Sequence, residues 1–162
     1  MMQRFGRAWW SVILPEGWRG QHDEECSTMT RIRCEGALQI SAYRKEHRPV
    51  TDADLREFAF EQRGGSAQLR RYRFGAFGGF GASSRRNGTY WREWWLRAGR
   101  VMLYVTFSDE KRARLRSLKP VLDSLAQRVA SPNNAAPGRP QRGAASRIRG
   151  RASRRGRLSA KR

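Results

Sequence analysis

Residues 85–107 decide the fold, and they read RRNGTYWREWWLRAGRVMLYVTF. Asn87-Gly88 is the strongest short signal for a β-hairpin in the chain, because both residues accept the positive φ angles of a two-residue turn. Gly99 marks a second tight turn. The segments beside it, residues 89–98 and 101–107, are apolar on both faces, which is typical of central strands. The stretch therefore predicts two neighbouring antiparallel strands at the centre of a sheet.

Further strands are predicted upstream of this stretch. Residues 9–14, 28–33, 37–43 and 69–74 are short, rich in β-branched or aromatic residues or alternating in polarity, and separated by turn residues. The polar segment 21–27 is predicted to be a loop. Because short hairpin connections join neighbouring strands, the pattern favours an antiparallel sheet.

Two helices are predicted to pack on this sheet. Thr51 is a good N-cap, Asp52 and Asp54 suit the first helical turn, and Gly64-Gly65 ends the helix. The later helix is predicted from a continuous apolar stripe, and Pro120 on its opposite face should kink the helix or split it in two. Its stripe consists of Leu115, Leu118, Leu122, Leu125 and Val129. The fold class is therefore α+β, a mainly antiparallel six- to seven-stranded sheet packed by two helices.

Residues 131–162 contrast with this domain. They have no hydrophobic periodicity and no aromatic residue, so they cannot bury enough apolar area to offset the entropy of ordering. We predict a globular domain in residues 1–130 and a disordered arginine-rich tail in residues 131–162. The candidate polyanion-binding residues of the tail are Arg139, Arg142, Arg147, Arg149, Arg151, Arg154, Arg155, Arg157, Lys161 and Arg162.

The chain carries 34 Lys and Arg against 14 Asp and Glu, a net charge of +20. The tail supplies half of this charge, so residues 1–130 keep 24 basic and 14 acidic residues, a net charge of +10. Such a balance favours a polyanionic partner: nucleic acid, an anionic lipid surface or an acidic protein. Tails of this composition also arise without a selected function, and both interpretations stay open.

The aromatic first strand runs into Pro15-Glu16-Gly17-Trp18, and a mainly antiparallel sheet and a late amphipathic helix follow. This layout resembles the Mog1/PsbP-like α/β/α sandwich. Residues 15–18 (PEGW), 36–41 (GALQIS) and 90–95 (YWREWW) also look like a small bacterial domain family of unknown function. The resemblance covers residues 9–130. It implies a binding or assembly role and transfers no catalytic residue.

Two segments contain residue types that occur in binding sites. The glycine-rich run 75–81 lacks the lysine and the following helix of a phosphate-binding loop, so its glycines are predicted to allow a bulge or make room for tryptophan rings. Residues 22–26 (HDEEC) have no metal-ligand spacing, which predicts a solvated acidic loop. We predict no catalytic residue, no metal and no cofactor.

The densest aromatic cluster surrounds Glu93. Neighbouring strand residues point to opposite faces, so Trp94 lies opposite Trp91 and Trp95. One set is predicted to be core, whereas the other covers a helix or lines an exposed surface. The candidate ligand or partner face consists of Trp91, Glu93, Trp94, Trp95 and Tyr104.

Glu93 itself has two interpretations. The favoured one is a structural ion pair with Arg92 or Arg97, and the alternative is a general base. A single carboxylate with no visible nucleophile, second acid or histidine partner gives little support to the second interpretation.

Location is predicted from the cysteines and the N-terminal region. Cys26 and Cys34 are eight residues apart, which is not a zinc spacing, and free thiols in a reducing cytoplasm are favoured over a single bridge. The apolar run 8–14 is short and is ended by Pro15, so it predicts a strand and not a signal peptide. No segment approaches transmembrane length. We expect a cytoplasmic location.

These observations predict a non-enzymatic bacterial protein-binding or adaptor domain whose basic tail adds polyanion affinity. The alternative is a non-specific nucleic-acid-associated protein that acts mainly through the tail. A third hypothesis is an enzyme that uses a Trp-lined face around Glu93.

Overall fold

A computed structural model describes residues 1–32, 36–65, 68–109 and 115–128. Within these parts the chain forms ten strands and two helices. In order they are β1 (Gln3–Arg7), β2 (Trp10–Leu14), β3 (Trp18–His22), β4 (Ser27–Arg31), β5 (Ala37–Arg44), α1 (Asp52–Arg63), β6 (Arg70–Phe74), β7 (Phe77–Arg86), β8 (Thr89–Ala98), β9 (Val101–Asp109), α2 (Leu115–Asp123) and β10 (Ala126–Gln127).

Seven strands form an antiparallel sheet in the order β3-β4-β5-β9-β8-β7-β6. The predicted mainly antiparallel α+β fold with two helices is thereby confirmed. At the predicted hairpin, Asn87 and Gly88 have φ angles of 51° and 82°, the positive values that a two-residue turn needs. The register that this turn sets places Trp91 opposite Ser84 and Glu93 opposite Ala82.

Helix α1 has the termini that the sequence predicts. The Thr51 hydroxyl accepts from the Asp54 N–H, and the Asp54 carboxylate accepts from the Thr51 N–H, which completes a capping box. Gly64 ends the helix in the left-handed conformation with φ 67°. Both ends of the helix therefore lie within one residue of their predicted positions.

Two hydrophobic cores lie on the two faces of the large sheet. On one face, α1 covers the sheet through Leu55 and Ala59, which cluster with Phe80 and Trp95. On the other face, α2 and the small sheet cover residues such as Trp94. The sheet is therefore buried on both sides near β8 and β9, as their apolar sequences predict.

The first predicted strand belongs to a different sheet from the one that the sequence predicts. Residues 10–14 do not join the large sheet: they form the centre of a separate three-stranded antiparallel sheet, β1-β2-β10. This strand lies in a separate layer because Trp10, Val12 and Leu14 pack with α2 over one face of the large sheet. Residues 21–27, which are predicted to be a loop, lie partly in strands, because the exposed edge strand β3 extends to His22 and β4 begins at Ser27.

The later helix is shorter than its apolar stripe predicts. Helix α2 ends at Asp123, and Ala126–Gln127 pairs with β2 as β10. Pro120 lies within the helix on its exposed side. Leu118, Val121 and Leu122 are buried from the helix, and Leu125 is buried from the turn after it. The buried stripe therefore extends past the end of the helix to Leu125, and Val129 lies outside the described residues. The predicted disordered tail, residues 131–162, lies outside the described residues, as does Cys34.

Candidate functional site

The candidate face around Glu93 is a buried network. Glu93 is 3% exposed. Its Oε2 accepts from Arg63 Nη1 at 2.7 Å and from Arg86 Nη2 at 3.1 Å, and its Oε1 accepts from the Tyr104 hydroxyl at 2.7 Å. Both oxygens of the carboxylate are therefore occupied, which is how a buried charge is stabilised.

The partners of Glu93 come from three elements. Arg63 is the last residue of α1, Arg86 ends β7, and Tyr104 lies on the neighbouring strand β9. Tyr104 stacks on Trp95 with ring centroids 5.7 Å apart, which holds its hydroxyl over Glu93. Burial and the Glu93 carboxylate both raise the pKa of Tyr104 well above its usual range, so Tyr104 is a neutral donor.

The ion pair predicted for Glu93 exists, but with other arginines. Arg92 lies on the opposite face of β8, and Arg97 Nε donates to Asp52 Oδ1 at 2.8 Å. Asp52 also pairs across elements: it binds Arg97 and Arg71, whereas Arg56, four residues further along α1, lies over the Phe80 ring. Helix α1 is thus tied to the sheet by charges that sequence spacing alone does not reveal.

The tryptophans of the candidate face separate onto the two sides of the sheet. Trp94 is 1% exposed in the core under α2, and Trp95 is fully buried under α1. Trp91 lies on the α1 side and is half-buried. The five residues of the candidate face therefore do not form one exposed surface. The ten candidate polyanion-binding residues of the tail lie outside the described residues.

Positive charge is concentrated at the end of the large sheet formed by β6, β7 and β8. We call this region the basic sheet end. It consists of Arg71, Arg73, Arg86 and Arg97 on the α1 side of the sheet and of Arg70, Arg85 and Arg92 on the α2 side. All of them except Arg92 and Arg97 are exposed. Glu93 is the one acid among residues 70–98, and it is buried against arginines, so it presents no charge to solvent.

A second acidic residue of α1 also binds basic side chains. Asp54 accepts from Arg48 Nη2 at 2.7 Å and from Lys45 Nζ at 2.6 Å, in addition to the capping contacts with Thr51. The Arg48 guanidinium, followed by Lys45 and the Thr51 N–H, lowers the pKa of Asp54 far below its usual range. These contacts hold the segment between β5 and α1 against the first turn of the helix.

The acidic segment after β3 is a tight turn. Asp23 accepts from the N–H groups of Glu25 and Cys26 at 2.9 and 2.7 Å, and Cys26 is a free thiol whose Sγ donates to the same carboxylate at 3.3 Å. His22 Nδ1 lies 2.7 Å from Ser27 Oγ, but Ser27 is fully buried, so this pair presents no nucleophile to a substrate. Among the described residues, no group of three His, Cys, Asp or Glu side chains is placed to hold a metal ion.

The similarity of this chain to known proteins is one of fold alone. No protein-family model matches the chain, and neither does any curated protein. The fold is similar to that of a protein from Bacteroides thetaiotaomicron with a crystal structure at 1.50 Å resolution, with a TM-score of 0.56 and 17% identity. The match covers 75% of this chain and 46% of the other, so this chain spans less than half the length of that protein. In the parts of the chain that the structure describes, no helix is long and apolar enough to cross a membrane.

Proposed function

We propose that the chain is a non-enzymatic bacterial protein-binding domain, and that the basic sheet end recognises an acidic surface of a protein partner in the cytoplasm. The observation that carries this proposal is the imbalance of charge in β6–β8, where seven arginines accompany one buried acid. Arginine is enriched at protein interfaces and at their energetic hot spots. Complementary charge also accelerates association with an acidic partner.

The aromatic residues beside the basic sheet end favour a protein partner over a single-stranded nucleic acid. Proteins that bind single strands present free aromatic faces on which bases stack. Here Arg56 and Arg71 cover the Phe80 ring at 4.7 and 5.0 Å, and Arg85 covers Tyr90 at 4.9 Å. Rings that already stack on guanidinium groups offer little surface to a base.

The contacts of Glu93 support a binding role over catalysis. A general base needs a lone pair within reach of its substrate. Both oxygens of Glu93 are held by Arg63, Arg86 and Tyr104 below the protein surface. The network instead ties the end of α1 to the sheet and so stabilises the domain that carries the basic sheet end.

We further propose that the domain belongs to the Mog1/PsbP-like sandwiches and that its tail adds affinity for polyanions. The order of layers supports the first point, because a central antiparallel sheet has α1 on one face and α2 with a small sheet on the other. The ten basic residues in 131–162 support the second. The free thiol of Cys26 is consistent with a reducing compartment.

Site-specific photo-cross-linking in bacterial cells tests the proposed partner. A photoreactive residue replaces exposed Ser83 on β7, and a matched control carries it at exposed Thr30 on β4, near the other end of the sheet. We expect a nuclease-resistant adduct with an acidic protein from position 83 and none from position 30. The captured protein is then purified, and its affinity for the full chain is measured by calorimetry.

Charge neutralisation completes this test. The triple variant Arg70→Gln, Arg85→Gln, Arg92→Gln changes only arginines on the same side of the sheet as Ser83 and is expected to weaken binding of the purified partner and to reduce the salt dependence of its affinity. The proposal is wrong if the adducts from position 83 consist of nucleic acid, if both positions yield the same proteins, or if the triple variant binds the partner as tightly as the unmodified chain.

A further inference from the structure

A groove of about 600 Å³ lies beside the first turn of α1. Its walls include Asp52 together with Arg71, Arg73 and Arg97 of the basic sheet end, and Gly78 of β7 also lines it. Three guanidinium groups and one carboxylate thus surround a space that is large enough for a phosphate and the group attached to it.

The arginines of the groove retain most of their hydrogen-bonding capacity. Asp52 accepts from Arg97 Nε at 2.8 Å and from Arg71 Nη2 at 3.0 Å, which uses one donor of each, whereas a guanidinium has about five. Arg73 makes no hydrogen bond or ion pair with any described residue. Because Arg97 and Arg71 lower the pKa of Asp52, its carboxylate is ionised at neutral pH, and the groove keeps two net positive charges.

Gly78 keeps the groove open between two of these arginines. In the sheet register it lies opposite Arg73 on one side and opposite Arg97 on the other. A Cβ atom added at Gly78 would meet only the Tyr72 carbonyl oxygen, at 3.8 Å, which is ordinary contact distance. Neither packing nor a positive φ angle requires glycine here. The consequence of the missing side chain is space between Arg73 and Arg97.

We propose that this groove binds a phosphoryl group, as the dianion of a phosphate monoester. Two net positive charges match a dianion, and guanidinium forks fit phosphate oxygens with paired hydrogen bonds. Asp52 acts as a positioning residue because it holds Arg71 and Arg97 on the same side of the groove. The groove shares Arg71, Arg73 and Arg97 with the basic sheet end, but the assignment goes beyond the proposed function and is tested without the acidic protein partner, because phosphate is titrated alone. The phosphoryl group belongs either to a free metabolite or to a phosphorylated side chain.

Titration of the ¹⁵N-labelled full chain with inorganic phosphate tests the groove. The titration is run at about 0.15 M ionic strength so that weak surface contacts are screened. We expect saturable shifts of the Gly78 and Gly79 amide signals. Gly78→Val fills the groove without changing any charge, and Arg73→Gln removes the unpaired guanidinium. Each is expected to weaken binding by about tenfold or more, the usual effect of losing hydrogen bonds to a charged group.

The matched control is Arg70→Gln, which removes the same charge from an exposed arginine on the same strand but outside the groove. It should bind phosphate as the unmodified chain does. Gly78→Val should also unfold at the same or a higher urea concentration, because a β-branched residue suits a strand better than glycine. If this variant failed to fold, the pair Arg73→Gln and Arg70→Gln would decide the outcome.

The remaining comparisons identify the ligand. Titrations with phosphoserine and with a phosphoserine peptide identify the source of the phosphoryl group. Tighter binding of phosphoserine than of inorganic phosphate indicates a free phosphate ester, and tighter binding of the peptide indicates a phosphorylated side chain. Acetate at equal concentration should produce no saturable shift. The assignment is overturned if phosphate shifts are not saturable, if acetate reproduces them, if Gly78→Val binds phosphate normally, or if Arg70→Gln weakens binding as much as Arg73→Gln.

Discussion

Trp94 and Trp95 are neighbours in the sequence but belong to different cores. Trp94 packs edge-on against Phe74, with ring centroids 5.8 Å apart, on the α2 side of the large sheet. Trp95 stacks on Tyr104 under α1 on the other side. Because neighbouring strand residues point to opposite faces, one dipeptide joins both layers of the domain to its central strand.

Removing either ring should therefore destabilise the whole domain. We expect Trp94→Ala and Trp95→Ala each to lower the free energy of unfolding by about 3–5 kcal/mol, the usual cost of a large cavity in a core. Urea denaturation followed by far-ultraviolet circular dichroism measures this effect. Half-buried Trp91 provides the control, and Trp91→Ala should cost less than half as much. Equal losses at all three positions would contradict the division into two cores and one partly open face.

Local signals in the sequence predict the parts of the fold that depend on local physics. The Thr51 cap, the Gly64 stop and the Asn87-Gly88 turn all act within a few residues, and the structure has each of them. The Asn87-Gly88 turn also fixes the register of β7 and β8. That register places Arg86 on the same face as Glu93, so this partner could have been found by counting outward from the turn.

Contacts between distant elements could not be predicted in this way. Arg63 reaches Glu93 because α1 crosses the sheet at a particular angle, which depends on the packing of Leu55 and Ala59. The separate three-stranded sheet is another example, because the apolar pattern of β2 suits burial on either layer equally well. The candidate groove needs both kinds of information, since it combines the β6–β8 register with the position of Asp52 on α1.

The buried Glu93 network should be important for stability. Glu93→Gln removes the charge that neutralises Arg63, which is only 16% exposed, and it keeps nearly the same volume. Breaking a buried pair leaves an uncompensated charge, so we expect a loss of about 3 kcal/mol in the free energy of unfolding by urea denaturation. Exposed Glu57 on α1 is the control, and Glu57→Gln should change stability by less than about 0.5 kcal/mol. If both variants unfolded at the same urea concentration, the network would not be structural.

Tyr104 should give the domain a characteristic alkaline response. Burial and Glu93 raise its pKa in the folded state above the value of about 10 for a free tyrosine. The neutral phenol therefore contributes stability that is fully present below about pH 10 and is lost as the pH rises toward the folded-state pKa. The difference in tyrosinate absorbance between the unmodified chain and Tyr104→Phe should remain flat through pH 10 and rise only above it. In Glu93→Gln the same rise should move to lower pH, and an unchanged rise would contradict the contact.

The glycines of β7 should differ sharply in their tolerance of a methyl group. A Cβ atom at Gly81 would lie 2.5 Å from Trp94 Cδ1 and 2.9 Å from Tyr72 Cε2, so this glycine makes room for a tryptophan ring, as the sequence predicts. Because Trp94 is buried and has no space to move, Gly81→Ala is expected to cost about 1–3 kcal/mol. A Cβ atom at Gly78 on the same strand makes only an ordinary contact, so Gly78→Ala should be neutral or stabilising. Urea unfolding of both variants checks the difference, and similar results would show that β7 adjusts to either residue.

The tail and the basic sheet end should make separate contributions to polyanion binding. The logarithm of the affinity for a single-stranded oligonucleotide falls linearly with the logarithm of the salt concentration. If all ten basic residues of 131–162 bind phosphates, the tail contributes roughly −7 to the slope of this line. A chain that ends at Arg128 should lose this contribution and keep a weaker, less salt-dependent affinity through exposed arginines such as Arg70 and Arg85. Fluorescence anisotropy at graded salt concentrations measures both quantities. Unchanged affinity after truncation would exclude a role for the tail, and complete loss of binding would show that the folded domain contributes nothing to it.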